Sequence, residues 1–466
     1  MQRIKLLFTT ITHSGGGGAE KVLTTLVNNL PPEMYDISIQ EMYAFGVKKE
    51  PINESIKLLP PLIKEKEGSA LITLFKRYII DNYPEIVRAI RLSSNYDVVI
   101  SWNYQCPSFL LPSFLDAITI GWFHGSIYDL TPSHNLKYET YSRKLQKRAW
   151  DKASKLVTIS KKSLQSLEEA FPEYMEKAQI IYNPVEIEKI KELSLCEIDS
   201  SFLDGSPVLV CIGRLDKNKN FALVLEAAAI LKNKGIKTQL LLIGEGNEKE
   251  NLKAKVKDLS IKENVIFLGY QQNPLPFLRF AKALCISSFE EGFPTVVTEA
   301  LSLGVPFVTT PVAGASDELS FNGECGLVAE WDAEDYAQKI ETIITNDALH
   351  EKISKAGKEN IKNFSVEQTI KNFNELITAL INNSKTDNNT SLLQLALSSD
   401  EARKKLKALY ICSFDFASQR LRFAFDRLCK KRKPRDVLVV GFHIMRFIFY
   451  TFTIPIRWLF YKNVFK

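Results

Sequence analysis

"PVLVCIGRLDKNKN", residues 207–220, is a strand pattern that ends on a glycine and runs into cations. Its apolar run alternates Val and Ile with Leu and Cys and carries no charge, as expected of a parallel strand covered on both faces. Gly213 opens a loop, Arg214 follows, and Lys219 stands at the start of the next helical segment. Similar runs precede this one: "IKLLFTT" (4–10), "YDISIQEMY" (35–43), "YDVVISW" (96–102), "AITIGWF" (117–123) and "KLVTIS" (155–160). More follow it: "TQLLLIG" (238–244), "NVIFLG" (264–269), "ALCIS" (283–287), "PFVTT" (306–310) and "CGLVAE" (325–330). Helix-length amphipathic segments separate them, which implies βαβ units and parallel sheets. The rhythm pauses over 182–207.

The pattern predicts an α/β chain of two doubly wound, Rossmann-like parallel-sheet domains facing a cleft. The first spans 1–195 and the second 196–363. A closing helix is expected over 364–382 and a polar linker over 383–400, followed by a helical basic and apolar C-terminal extension over 401–466. A length of 466 residues exceeds what one ordinary core holds, in agreement with two domains. The seven cysteines are scattered without C-x-x-C or metal-ligand spacing, which points to a reducing compartment. The N-terminus has a single strand-length apolar run and no cleavage-site pattern, so the body is expected in the cytoplasm.

Open α/β sheets bind ligands at the carboxyl ends of their strands. Arg214 and Lys219 at such an edge suit a diphosphate, since Arg offers a planar donor fork and Lys a point charge. A solvated pair at a surface helix is the competing reading. In "LLIGEGNEKENL" (241–252), Gly244 and Gly246 bracket Glu245 after another strand, where backbone can approach a nucleotide closely. "FEEGFPTVVTEALSLGVPFV" (289–308) carries Glu291 before a helix and Glu299 inside it. Pro294 fits the first helical position and Gly304 the residue past the end. Val296, Val297, Ala300, Leu301 and Leu303 form an apolar face; Thr295, Thr298, Glu299 and Ser302 form the opposite stripe. Acids beside a diphosphate repel it, so in a ligand site they must face hydroxyls. Taken alone, the two acids fit helix N-terminal acidity equally well.

The combination resembles the family 4 retaining glycosyltransferases of GT-B fold, over about residues 3–382 and most strongly over 207–320. The carrying motifs are Gly-Arg-Leu with Lys219, the Gly-Glu-Gly loop, and Glu-Gly-Phe-Pro with Glu299. The resemblance implies that Glu291 contacts donor-sugar hydroxyls and Glu299 the ribose. It implies that Arg214 and Lys219 hold the diphosphate, assisted by Gly213, Gly244, Glu245, Gly292 and backbone amides around Phe293, Pro294 and Thr295. "THSGGGGAEKVLTTLVNNL" (12–30) resembles the family's Gly-rich turn, with Gly16, Gly17 and Gly18 at the donor phosphate and acceptor. "GWFHGSIYDL" (121–130) places His124 where the family has a His near the anomeric carbon, as an orienting or charge-stabilising group. Two departures stand out: Ala-Gly and Ser-Asp-Glu in "TTPVAGASDEL" (309–319), and Val366 where an aromatic is usual.

No D-x-D stands at a strand end, so neither a metal ion nor another cofactor is expected, and the cations replace the metal. The expected partners are a nucleoside diphosphate sugar, UDP- or GDP-linked, and a glycan or lipid-linked acceptor. Two rival readings share the site: a GT-B nucleotide-sugar epimerase, and a non-catalytic component of a glycan assembly complex. Residues 401–466 hold sixteen Lys/Arg against four Asp/Glu, a net +12, while the first 400 residues carry −6. Apolar residues follow the basic run, with His443, Arg446, Tyr450, Thr453, Arg457 and Tyr461 on one helical stripe. That pattern favours an anionic membrane surface over nucleic acid, in a peripheral or monotopic arrangement on the cytoplasmic face, with a spanning arrangement left open.

Overall fold

The computed structural model describes residues 3–386, except 14–17, 45–50, 65–69, 93, 126, 128–135, 200, 202 and 313. Gly16, Gly17 and the 401–466 tail therefore lie outside the described residues, as does all of the linker beyond residue 386.

The first sheet contains β1 (Ile4–Thr10), β2 (Tyr35–Glu41), β3 (Lys57–Leu59), β4 (Val98–Ser101), β5 (Ile118–Phe123), β6 (Lys155–Thr158) and β7 (Ala178–Ile180). Its spatial order is β3-β2-β1-β4-β5-β6-β7, all parallel. The second contains β8 (Val208–Ile212), β9 (Gln239–Ile243), β10 (Val265–Gly269), β11 (Ala283–Ile286), β12 (Phe307–Thr309) and β13 (Gly326–Val328). Its order is β10-β9-β8-β11-β12-β13, again all parallel. In each sheet the strand order reverses beside the first strand, which makes the ends of β1 and β8 switch points where ligands bind. Every residue of β8 and β9 is buried, in keeping with helices on both faces.

The long apolar runs became strands within a residue or two of their expected bounds. Two strands of the main sheets escaped the pattern, β3 and β7, as did Ile63–Lys64 of a separate two-stranded ribbon. Both β3 and β7 are three residues long, sit at a sheet edge and are partly exposed, so neither shows a buried run. The run 35–43 is split: β2 ends at Glu41, and Tyr43–Ala44 pairs with Ile63–Lys64 in that ribbon.

Helix α1 (Gly18–Asn29) follows β1, α2 (Thr295–Leu303) follows β11, and α3 (Val366–Thr386) closes the described chain. Pro294 is the residue before α2 rather than its first, with ψ 112°. Gly304 ends the helix in the left-handed conformation, φ 74°, as expected of glycine there. The polar stripe of α2 does not face water. Thr298, Glu299 and Ser302 are buried; Lys21 of the first domain reaches Glu299, and Thr298 and Ser302 donate to carbonyls of the helix itself.

α3 runs later than expected and crosses back onto the first sheet. Phe373 packs near Phe8, Tyr35 and Trp122, with ring centroids 6.0–6.4 Å away, and Tyr35 donates to Asn374 at 2.7 Å. The two chain crossings touch where Val185 N–H donates to the Phe364 carbonyl at 2.9 Å. Phe364, two residues before Val366, packs edge-on to Tyr182 at 4.9 Å and beside Phe293 at 5.4 Å.

Candidate active site

At the second switch point, the loops after β8 and β11 are tied to each other. Phe289 N–H donates to Asn218 O at 2.8 Å, Asn218 Nδ2 to Glu290 O at 2.9 Å, and Ser287 Oγ to Lys219 O at 2.8 Å. This lattice sets Lys219 Nζ 2.5 Å from Glu291 Oε1, which also accepts from Ser288 Oγ at 2.7 Å. Both side chains are mostly buried, at 19% and 14% exposure, so the pair is strongly oriented. Gly213 makes room for it: φ is +155°, and a Cβ there would meet Lys219 Cε at 3.1 Å.

The Gly-Glu-Gly loop supports the same floor. A Cβ on Gly244 would stand 1.9 Å from the Gly213 carbonyl oxygen, and one on Gly246 2.2 Å from that of Leu215. Close backbone approach explains both glycines. Glu245 points elsewhere and pairs with Lys249 at 2.7 Å on the surface. Arg214 is also turned out: its side chain is 81% exposed and pairs with Asp216 at 3.2 Å rather than standing beside Lys219. The expected cation pair is thus one held lysine and one exposed arginine paired with Asp216.

The first domain contributes a different surface. His124 follows β5, and its ring lies 4.5 Å from that of Trp102, which in turn lies 4.8 Å from Trp122. Both ring nitrogens of His124 are buried without a hydrogen-bond partner, and burial pushes its pKa down to about 3. His124 is therefore neutral at ordinary pH and offers one donor and one acceptor, not a positive charge. Trp102 Nε1 donates to Ala19 O at 2.9 Å, fixing the start of α1.

The halves meet at these residues. Gly292 lies against His124–Gly125: a Cβ on it would be 3.0 Å from Gly125 Cα and 3.3 Å from the His124 carbonyl carbon. Lys21 Nζ, from the first turn of α1, reaches Glu299 Oε1 at 2.7 Å. Glu318 Oε1 accepts from the Lys161 N–H of the first domain, while its Oε2 is buried without a partner. Phe293 packs its side chain into a cluster with Tyr182 and Phe364. Gly18 begins α1 with open space around it.

Comparison with known proteins places this geometry. A family described as "Glycosyltransferase Family 4" matches residues 16–189, and "Glycosyl transferases group 1" matches 197–360. The chain is a family 4 glycosyltransferase of GT-B fold. It is 25% identical over 371 residues to the N-acetylgalactosamine-N,N'-diacetylbacillosaminyl-diphospho-undecaprenol 4-alpha-N-acetylgalactosaminyltransferase of Campylobacter jejuni, covering 78% of this chain and 96% of that protein. A second Campylobacter jejuni enzyme, the GalNAc-alpha-(1->4)-GalNAc-alpha-(1->3)-diNAcBac-PP-undecaprenol alpha-1,4-N-acetyl-D-galactosaminyltransferase, is 28% identical, covering 82% of this chain and all of its own. The solved structure of Anabaena HepE in complex with UDP superposes with a TM-score of 0.63 at 17% identity, over 81% of this chain and all of that one.

Three features of this glycosyltransferase escaped the sequence reading: Lys21, Trp102 and Glu318. Lys21 stood within the quoted Gly-rich stretch, three residues past its last glycine, and that position in a first helical turn was a usable signal. Glu318 stood within a loop already marked for its Ser-Asp-Glu departure. Trp102 ended a strand, and nothing in its spacing distinguished it from a core aromatic.

Proposed function

We propose that this glycosyltransferase moves a sugar from a UDP- or GDP-linked donor to a glycan or lipid-linked acceptor, with anomeric configuration retained. The single observation that carries the reading is the mostly buried Lys219–Glu291 pair at the second switch point, next in sequence to Gly292, which lies against the His124–Gly125 backbone. The relatives' printed activities on diphospho-undecaprenol glycans support the acceptor class, and the UDP complex of HepE supports the nucleotide.

In this reading the diphosphate lies over Gly213, with Lys219 on its oxygens and Arg214 swinging in from solvent. These cations take the place of a divalent ion in stabilising the charge that develops as the bond from the anomeric carbon to phosphate breaks. Glu291 accepts hydrogen bonds from donor-sugar hydroxyls and Glu299 from the ribose, a task for acceptor-only carboxylates. Neutral His124 orients the sugar through its free ring nitrogens. The acceptor oxygen attacks the face that the phosphate leaves, and its proton passes to the departing phosphate oxygen.

Among the described residues no helix is long and apolar enough to cross a membrane. The 401–466 tail, through its net +12, holds the enzyme on an anionic membrane surface at the cytoplasmic face. The test is a panel of nucleotide sugars offered to the purified full-length chain, with hydrolysis and transfer followed by NMR to read the product anomer. Inverted product overturns retention, and absence of both binding and turnover with every donor overturns the donor class. Deleting 401–466 should release the protein from vesicles rich in anionic lipid; unchanged retention would exclude the tail as anchor.

A further inference from the structure

The two acids of the donor site are each met by a lysine, but from different places. Glu291 is met by Lys219 of its own domain, whereas Glu299 is met by Lys21 of the other. Charge accounting makes the second lysine important. The second domain supplies Arg214 and Lys219 against Asp216, Glu291 and Glu299, which leaves one negative charge in excess where an anionic diphosphate must bind. Lys21 removes that excess.

We propose that Lys21 is a donor-binding residue: Glu299 holds its ammonium in the unliganded site, and it moves onto the donor diphosphate when ribose hydroxyls take over Glu299. This rests on the reading of the protein as a nucleotide-sugar enzyme and adds a third cation to it. The exchange keeps Glu299 satisfied. Glu299 is only 5% exposed, so losing Lys21 without replacement would strand a buried carboxylate; two ribose hydroxyls are suitable replacement donors. Lys21 is 53% exposed on a flexible stem, so it leaves one partner for another with little desolvation. Because Lys21 comes from the first domain, donor affinity becomes linked to closure: an open cleft removes one phosphate ligand.

A binding cycle tests this with UDP and GDP as probes, by calorimetry on the full-length chain. Lys21→Met should weaken the preferred nucleotide by about ten- to a hundredfold, the range of a charge-assisted hydrogen bond. The same factor should appear in a Glu299→Gln background, and Lys21→Arg should restore most of the affinity. If Lys21→Met has no effect once Glu299 is Gln, Lys21 only neutralises Glu299 and the proposal is overturned. It is equally overturned if Lys21→Met binds as wild type. Wild-type protein that binds neither nucleotide refutes the nucleotide-sugar reading itself, before any variant is made. Thermal melts of each variant separate binding loss from misfolding, and half-exposed Lys21 is not a folding determinant.

Discussion

The two halves share a strand order, yet they treat their switch points differently. After β8 the second half holds polar side chains in a lattice: Asn218, Lys219, Ser287 and Glu291 each bond to the neighbouring loop, and Ser288 bonds Glu291 within its own. At the ends of β4 and β5 the first half backs its site with the buried aromatics Trp102 and Trp122 and a partnerless neutral His124, and α1 sends Lys21 to Glu299. One half fixes charge and the other excludes water. That division suits a transfer reaction, where preorganised charges act most strongly once solvent is gone.

The largest test of this division is at its most ordered pair. Glu291→Ala should cut turnover by about a thousandfold, the scale on which a preorganised electrostatic contact acts. It also leaves Lys219 without its carboxylate partner. Near-normal turnover by a folded Glu291→Ala protein would mean that charge fixation in the second half is not what the reaction uses. The measurement is kcat with the donor found by the panel screen, beside a circular dichroism check of the fold.

The next test compares two glycines of nearly equal backbone geometry. Gly244 has φ +144° and Gly125 has φ +142°, both unfavourable for a side chain. A Cβ on Gly244 meets the Gly213 carbonyl at 1.9 Å; one on Gly125 meets nothing within 4 Å. Gly244→Ala should lose about 2–3 kcal/mol of stability and Gly125→Ala about 1 kcal/mol, as read by urea unfolding. Equal losses would show that the tight packing of the second half adds nothing beyond backbone strain.

This asymmetry also governs what the sequence revealed. In the second half the candidate residues sit in consecutive short motifs after strands, so the motifs taken together, through the family resemblance, singled out Lys219, Glu291, Glu299 and the supporting glycines, although each motif alone was ambiguous. The edge strands β3 and β7 were hidden, because three partly exposed residues carry no periodic signal. The direction of a side chain was hidden too. Arg214 and Glu245 have the right positions, yet they turn to Asp216 and Lys249, since a long side chain at an exposed loop takes the nearest opposite charge. The Lys21–Glu299 contact joins residues 278 positions apart, and only the domain arrangement brings them together.

His124 gives a pH-dependent test of this aromatic backing. An unfolded His titrates near 6.5, and burial pushes the folded value to about 3. Between these values the unfolded chain holds the extra proton, so His124 makes stability fall as pH drops below about 6.5, by at most ~1.4 kcal/mol per pH unit. Above pH 7 it contributes no slope. His124→Asn should flatten this part of the unfolding profile, read as the difference from wild type between pH 7 and 5. The pH profile of wild-type kcat/KM should show no limb assignable to His124; a limb near pH 6.5 that His124→Asn abolishes would mean the His124 ring is wet.

The smallest effect is expected where the two halves touch through Glu318. Its Oε1 accepts the first N–H of the Lys161–Ala170 helix, which Ser160 already caps by accepting from Ser163 N–H at 3.2 Å. A carboxylate at a helix start gains ~0.3–1 kcal/mol from the dipole. Burial opposes that gain and dominates, because the Glu318 carboxyl is held above its usual range, and Oε2 has no partner. A raised carboxyl pKa means that the folded state disfavours the ionised form, so stability is lost as pH rises through that range. Glu318→Gln keeps an acceptor for the Lys161 N–H and removes the charge. It should therefore raise stability slightly at pH 7, by less than ~1 kcal/mol, and the gain should shrink as pH falls and Glu318 takes up its proton. A clear loss at pH 7 would reverse the order of these two effects, and the halves would then be joined by a charge–dipole contact rather than by a neutral hydrogen bond.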